Sequence, residues 1–113
     1  MHEMSLAEGI LQVIEDYAAR EHFQKVTQVR LEIGRLSGVE PEALRFCFDA
    51  VTRGSIAESA ALEILPVAGQ AWCFSCGKTV TITEELAQCP NCGGVELTVQ
   101  GGSEMRIKDL LVD

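Results

Sequence analysis

The chain has 113 residues, a mass of 12.3 kDa and a formal net charge of −8, enough for one compact domain or one domain with a small satellite. Residues 1–69 hold 6 Lys/Arg against 11 Asp/Glu and residues 70–113 hold 3 against 6, so neither half offers the positive stripe that nucleic acid or an anionic membrane surface requires. No apolar run reaches the roughly eighteen residues of a membrane span, and Glu3, Glu8, Glu15 and Asp16 interrupt the place of a signal-peptide core; the expected setting is cytoplasmic and reducing, where paired cysteines serve as metal ligands rather than disulfides.

Residues 4–22 read as an amphipathic helix, with Leu6, Ile10, Val13, Ile14, Tyr17 and Ala18 at helical spacing. Ser5 and Glu8 have the spacing of a capping box, with a helix start one or two residues earlier left open. Arg20 and His22 stand where the negative end of the helix dipole falls. Residues 26–33 alternate: Val29, Leu31 and Ile33 face one way and Gln28, Arg30 and Glu32 the other, as in a half-buried strand.

After a break at Gly34 to Gly38, Pro41 opens a second helix. Leu44, Cys47, Phe48 and Val51 form its inner stripe and Gly54 ends it. On that stripe, Cys47 reads as a buried free thiol, not a nucleophile. A strand over 61–67 follows. Gly69-Gln70 reads as a short joint, residues 78–83 and 95–100 as two short strands, and Gly101-Gly102-Ser103 as a second joint. Residues 104–111 form a last strand, with Met105 and Ile107 inward.

The expected fold is therefore α+β: a small domain of two helices and a mainly three-stranded sheet, with an inserted zinc-ribbon lobe and a C-terminal return strand. The expected boundaries are 1–69, completed by 103–113, for the first domain and 70–102 for the lobe. Glycine joints at both ends suggest a mobile lobe.

Cys73, Cys76, Cys89 and Cys92 carry the strongest chemical signal. They form two C-x-x-C pairs twelve residues apart. Two thiolates three positions apart clamp one side of a metal ion if the chain turns sharply between them, and a second pair completes a tetrahedron that suits Zn²⁺. Four thiolates leave no position for water, so the zinc is expected to be structural. A lobe of about thirty residues is too small to fold by burial alone, and a metal takes the place of a core.

The other candidate is Met1-His2-Glu3. The His2 amide and imidazole Nδ1 can close a six-membered chelate ring on a metal. Either the Glu3 amide or the Met1 amine then closes a five-membered ring beside it; the residues leave both versions open. Each is rich in nitrogen and near-planar, a geometry for Ni(II) or Cu(II), and Glu3 or Glu40 is a further candidate donor. No phosphate-binding loop, G-x-S-x-G or H-E-x-x-H motif occurs, so no enzymatic activity is expected.

Taken together, the Met1-His2-Glu3 start, the stretch from Val29 to Glu40, the helix from Leu44 to Val51, the turn from Arg53 to Glu58 and the segment from Gln70 to Cys76 with its cysteine ribbon closely resemble the hydrogenase-maturation nickel metallochaperones, the HypA/HybF family. The resemblance covers essentially the whole chain. It implies a nickel carrier that binds Ni(II) at its N-terminus and helps place it in the large subunit of a nickel–iron hydrogenase. A partner GTPase would supply the nucleotide hydrolysis, and a homodimer is an open option. It implies nickel on His2 and Glu3, with Met1 and Glu40 as additional candidates, and zinc on Cys73, Cys76, Cys89 and Cys92. The competing reading is a zinc-ribbon adaptor that binds nucleic acid or protein with no second metal; the acidic balance of both halves argues against its nucleic-acid form.

Overall fold

The computed structural model describes residues 2–84 and 87–113. Helix α1 spans Glu3–Glu21 and strand β1 Val26–Gly34. Helix α2 spans Pro41–Thr52 and strand β2 Ala61–Val67. Four further strands follow: β3 Gly69–Cys73, β4 Lys78–Ile82, β5 Leu97–Gly101 and β6 Met105–Val112. The strands form two three-stranded sheets, ordered β2-β1-β6 and β4-β3-β5. By the density of their contacts, residues fall into two compact units: 1–31 with 39–65 and 107–113, and 32–38 with 66–106.

In the first unit α1 packs on α2. The buried residues of α1 are Ala7, Ile10 and Ile14, and each isoleucine contributes roughly 1.5–3 kcal/mol by leaving water. They share the core with Val26, Val29 and Leu31 of β1 and with Leu44 and Phe48 of α2. The inward face of α1 is therefore centred on Ala7, Ile10 and Ile14; Val13 and Tyr17, expected on that face, remain 41% and 42% exposed. Helix α1 starts at Glu3 with His2 as its N-cap, and the His2 side chain makes no capping bond. Ser5 thus lies inside the first turn, and the expected capping box does not form. His22 closes the helix in the left-handed region, its N–H donating to the Ala18 carbonyl.

Helix α2 begins as its proline suggests. Glu40 is the N-cap, its carboxylate accepting from the Glu42 N–H at 3.1 Å, and Pro41 follows at the first turn. Leu44, Phe48 and Thr52 are buried, whereas Cys47 and Val51, expected on the inner stripe, are only half-buried.

In the second unit the cluster Ala71, Cys73, Val80, Ile82 and Cys89 is buried, with Leu36, Cys76, Ala87 and Leu97 packed against it. Strand β3 is the centre of this sheet. It pairs antiparallel with β4 from Gly69↔Ile82 to Cys73↔Lys78 and antiparallel with β5 from Gln70↔Gly101 to Cys73↔Leu97, with a register shift between Gln70 and Ala71. Gly69 and Gln70 are therefore not a joint but the first two residues of a central strand.

The three glycines around them serve close packing. A Cβ on Gly34 would lie 2.0 Å from the Gly102 carbonyl oxygen, one on Gly69 would lie 2.6 Å from the Ile82 carbonyl oxygen, and one on Gly102 would lie 2.5 Å from the Gly69 Cα. The Gly102 carbonyl accepts from the Leu36 N–H at 2.8 Å, and Gly34 donates to Glu104 at 2.8 Å. The main chains meet so tightly that only hydrogen atoms fit between them.

Candidate metal centres

Each cysteine pair sits on a knuckle of the same design. In the first, the Gly77 N–H donates to the Cys73 carbonyl at 2.8 Å; in the second, the Gly93 N–H donates to the Cys89 carbonyl at 2.8 Å. Gly77 and Gly93 adopt φ of 67° and 76°. Each glycine thus provides the left-handed turn that folds its own pair back on itself. The first knuckle lies between β3 and β4, and the second leads into β5.

The four sulfurs converge. All lie within 4.8 Å of one another, with Cys73 Sγ 3.6 Å from Cys92 Sγ and Cys76 Sγ 3.8 Å from Cys89 Sγ. A disulfide needs about 2.05 Å, so these are not disulfide contacts. Four thiolates each about 2.3 Å from a tetrahedral zinc stand about 3.8 Å apart. The Cys73–Cys92 and Cys76–Cys89 separations are close to such an edge, and the donor set fits structural zinc. Among the described residues, this is the group of cysteine, histidine or carboxylate ligand atoms that converges on a common point.

Main-chain N–H groups support the sulfurs. Cys89 Sγ accepts from the N–H of Asn91 at 3.4 Å and of Cys92 at 3.5 Å; Cys73 Sγ accepts from Cys76 at 3.4 Å and Cys92 Sγ from Gly94 at 3.4 Å. Such donors favour the charged thiolate. Without metal, the Cys92 N–H and its neighbours bring the Cys89 thiol down to about 6. For Cys92, the pull of the Gly94 N–H is outweighed chiefly by the adjoining sulfurs of Cys76 and Cys73, with a smaller push from partial desolvation, and the thiol is pushed up to about 12. Four negative charges do not share so small a space until a dication neutralises them.

One member of this arrangement was not legible in the spacing. The Asn91 side chain donates from Nδ2 to Cys76 Sγ at 3.3 Å. Asn91 lies on the second knuckle and Cys76 on the first, so nothing local in the sequence marks the contact.

The second candidate site is at the start of α1. His2 is exposed, its backbone extended (φ −95°, ψ 105°), and its side chain makes no capping bond. Its carbonyl accepts from the Leu6 N–H at 3.1 Å. The Glu3 carboxylate accepts the Glu40 N–H at 3.2 Å, and this bond is the main cause that holds its pKa below the ordinary carboxylate value. Glu3 and Glu40 are thus brought together, although Glu40 uses one carboxylate oxygen to cap α2. Met1, a further candidate donor, lies outside the described residues.

The family model described as hydrogenase/urease nickel incorporation, metallochaperone, hypA matches residues 1–112. The chain belongs to the HypA family. The hydrogenase maturation factor HypA of Albidiferax ferrireducens is 63% identical over 113 residues, covering the whole of both chains. That of Rhodobacter capsulatus is 62% identical over 112 residues, 99% of each. The solution structure of the Ni metallochaperone HypA from Helicobacter pylori shares the fold, with a TM-score of 0.71 over 99% of this chain and 97% of that one, at 23% identity. The HypA family is one of metallochaperones, and its members here are maturation factors. Among the described residues, no helix is long and apolar enough to cross a membrane.

Proposed function

We propose that this chain carries Ni(II) at its N-terminus and delivers it to the large subunit of a nickel–iron hydrogenase, alongside a GTPase that supplies nucleotide hydrolysis, while zinc on Cys73, Cys76, Cys89 and Cys92 holds the second unit together. Membership of a nickel-incorporation family over residues 1–112 carries this reading. The cytoplasm is the proposed compartment.

The start of α1 supports nickel on His2 and Glu3. The imidazole is exposed and has no capping role. The first N–H groups of a helix have no intrahelical acceptor, so the Glu3 amide is open to deprotonation by a metal. The positive end of the helix dipole favours the resulting amidate. Glu3 keeps its carboxylate charged through the Glu40 N–H, which places negative charge beside an incoming dication. Glu40 is proposed as a further donor through its remaining carboxylate oxygen.

The two metals differ in exchange. Four thiolates enclose zinc and leave no entry for a competing ligand. A site of main-chain nitrogens and one imidazole at a chain end can give up its ligands stepwise, as a carrier must. Affinity for nickel should fall with pH, because the amide must lose its proton. Cu(II) should bind at least as tightly in vitro.

The test is metal titration of the protein with its native terminus against His2→Ala, with zinc measured in both. One zinc retained in each and nickel lost only from the variant is the expected result. Nickel bound equally by both would overturn the assignment to His2.

A further inference from the structure

The two cysteine knuckles are built alike, yet their sulfurs are not supported alike. In the second knuckle the trailing sulfur, Cys92 Sγ, accepts the N–H of the residue two positions on, Gly94, at 3.4 Å. The equivalent donor in the first knuckle would be the Lys78 N–H, but Lys78 is the first residue of β4 and pairs across the sheet with Cys73. Among the described residues, no main-chain N–H donates to Cys76 Sγ. The Asn91 side chain takes that place, with Nδ2 3.3 Å from Cys76 Sγ, while the Asn91 main-chain N–H donates to Cys89 Sγ at 3.4 Å.

We propose that Asn91 is a positioning residue of the four-cysteine centre, linking one sulfur of each pair and supplying Cys76 with the N–H donor that its own knuckle lacks. The donor orientation follows from the chemistry: a thiolate accepts and does not donate, so the amide nitrogen must face it. A fixed N–H donor keeps the sulfur aimed at the metal and lowers the cost of its negative charge. It also ties the closing of the second knuckle to the first, because the residue that turns Cys89-Pro90-Asn91-Cys92 reaches back to Cys76.

Donors of this kind set metal affinity by about 10–100-fold. Asn91 is exposed, and water competes for its hydrogen bond, so the lower end of that range applies. The inference rests on the cysteines holding zinc, and zinc content of the wild-type chain is therefore measured first.

Zinc transfer to a chromogenic chelator is then timed for wild type, Asn91→Leu and Asn91→Asp. Both variants keep the main-chain N–H on Cys89. Leucine removes the side-chain donor, and aspartate sets a carboxylate against the sulfur. Zinc should leave about tenfold faster from Asn91→Leu and faster still from Asn91→Asp. Partial alkylation with iodoacetamide, read by peptide mass spectrometry, supplies the residue-level measurement. In the zinc-loaded wild type, where all four sulfurs are thiolates, the exposed Cys92 should react first, and in both zinc-loaded variants modification should rise selectively at Cys76. Unchanged release rates, or an equal rise at all four cysteines, would overturn the role of Asn91 while leaving the zinc reading intact. A wild-type chain with no zinc would overturn both.

Discussion

The Glu3 carboxylate accepts the main-chain N–H of Glu40 at 3.2 Å, so the first residue of one helix is tied to the N-cap of the other. The bond serves two purposes. It fixes the entry of α2 beside the start of α1, and it keeps a charged carboxylate next to His2.

This bond should depend on pH in a definite direction. The Glu3 pKa is lowered from an ordinary value of 4.5 by the Glu40 N–H. A depressed carboxylate contributes stability that is complete above its unfolded value and is lost as pH falls through the folded one. In an NMR titration the Glu40 amide proton should move in step with the Glu3 carboxyl, with its midpoint below 4.5, and Glu3→Ala should abolish that movement. A Glu40 amide that does not titrate would show that the bond does not persist in solution.

Two glycine replacements should act in opposite directions. Gly34→Ala drives a methyl group into the Gly102 carbonyl, 2.0 Å away, in main chain that cannot yield; a loss of about 3 kcal/mol or more is expected, at or beyond the upper end for overpacking. Gly9 lies within α1 with nothing inside 4 Å of an added Cβ, so Gly9→Ala should stabilise by roughly 0.5–1 kcal/mol. Urea denaturation measures both, and equal effects would contradict the packing described around Gly102.

Zinc removal should be felt unevenly. The second unit has a small buried cluster in which Cys73 and Cys89 are themselves members, so its core and its four-cysteine cluster are one structure. A chelator should expose the amides of 66–106 to hydrogen exchange well before those of α1 and α2. Simultaneous loss of protection in both would mean that the units unfold as one.

Metal loading should also release protons. Without metal, the Cys92 thiol at about 12 is protonated at neutral pH while the Cys89 thiol at about 6 is largely ionised. Zinc must expel the protons that remain, so its apparent affinity falls as pH falls. Below about 6 one further proton, that of Cys89, must leave, and the slope of log affinity against pH should steepen by one. Calorimetry in buffers of different ionisation enthalpy counts these protons.

Period and spacing make much of the molecule legible in the sequence. The alternation in β1 and the boundaries of β2 are local patterns, and the structure follows both. Where the structure departs from these local patterns, distant segments decide. Gly69 reads as a joint because glycine ordinarily breaks a strand, yet here it permits β3 to pass 2.5 Å from where a Gly102 Cβ would stand. Ser5 and Glu8 had capping spacing, but α1 starts at Glu3, and the Glu3 carboxylate bonds to Glu40, thirty-seven positions away.

By itself, the sequence determined the helices, most of the strands and the four-sulfur donor set, because helical period, alternation and C-x-x-C spacing act over a few residues. Only the tertiary structure decided that β3 is a central strand, that three glycines meet main chain to main chain, that Glu3 meets Glu40 and that Asn91 reaches Cys76. Each of these depends on the approach of segments distant in sequence, and such an approach leaves no periodic trace in either one.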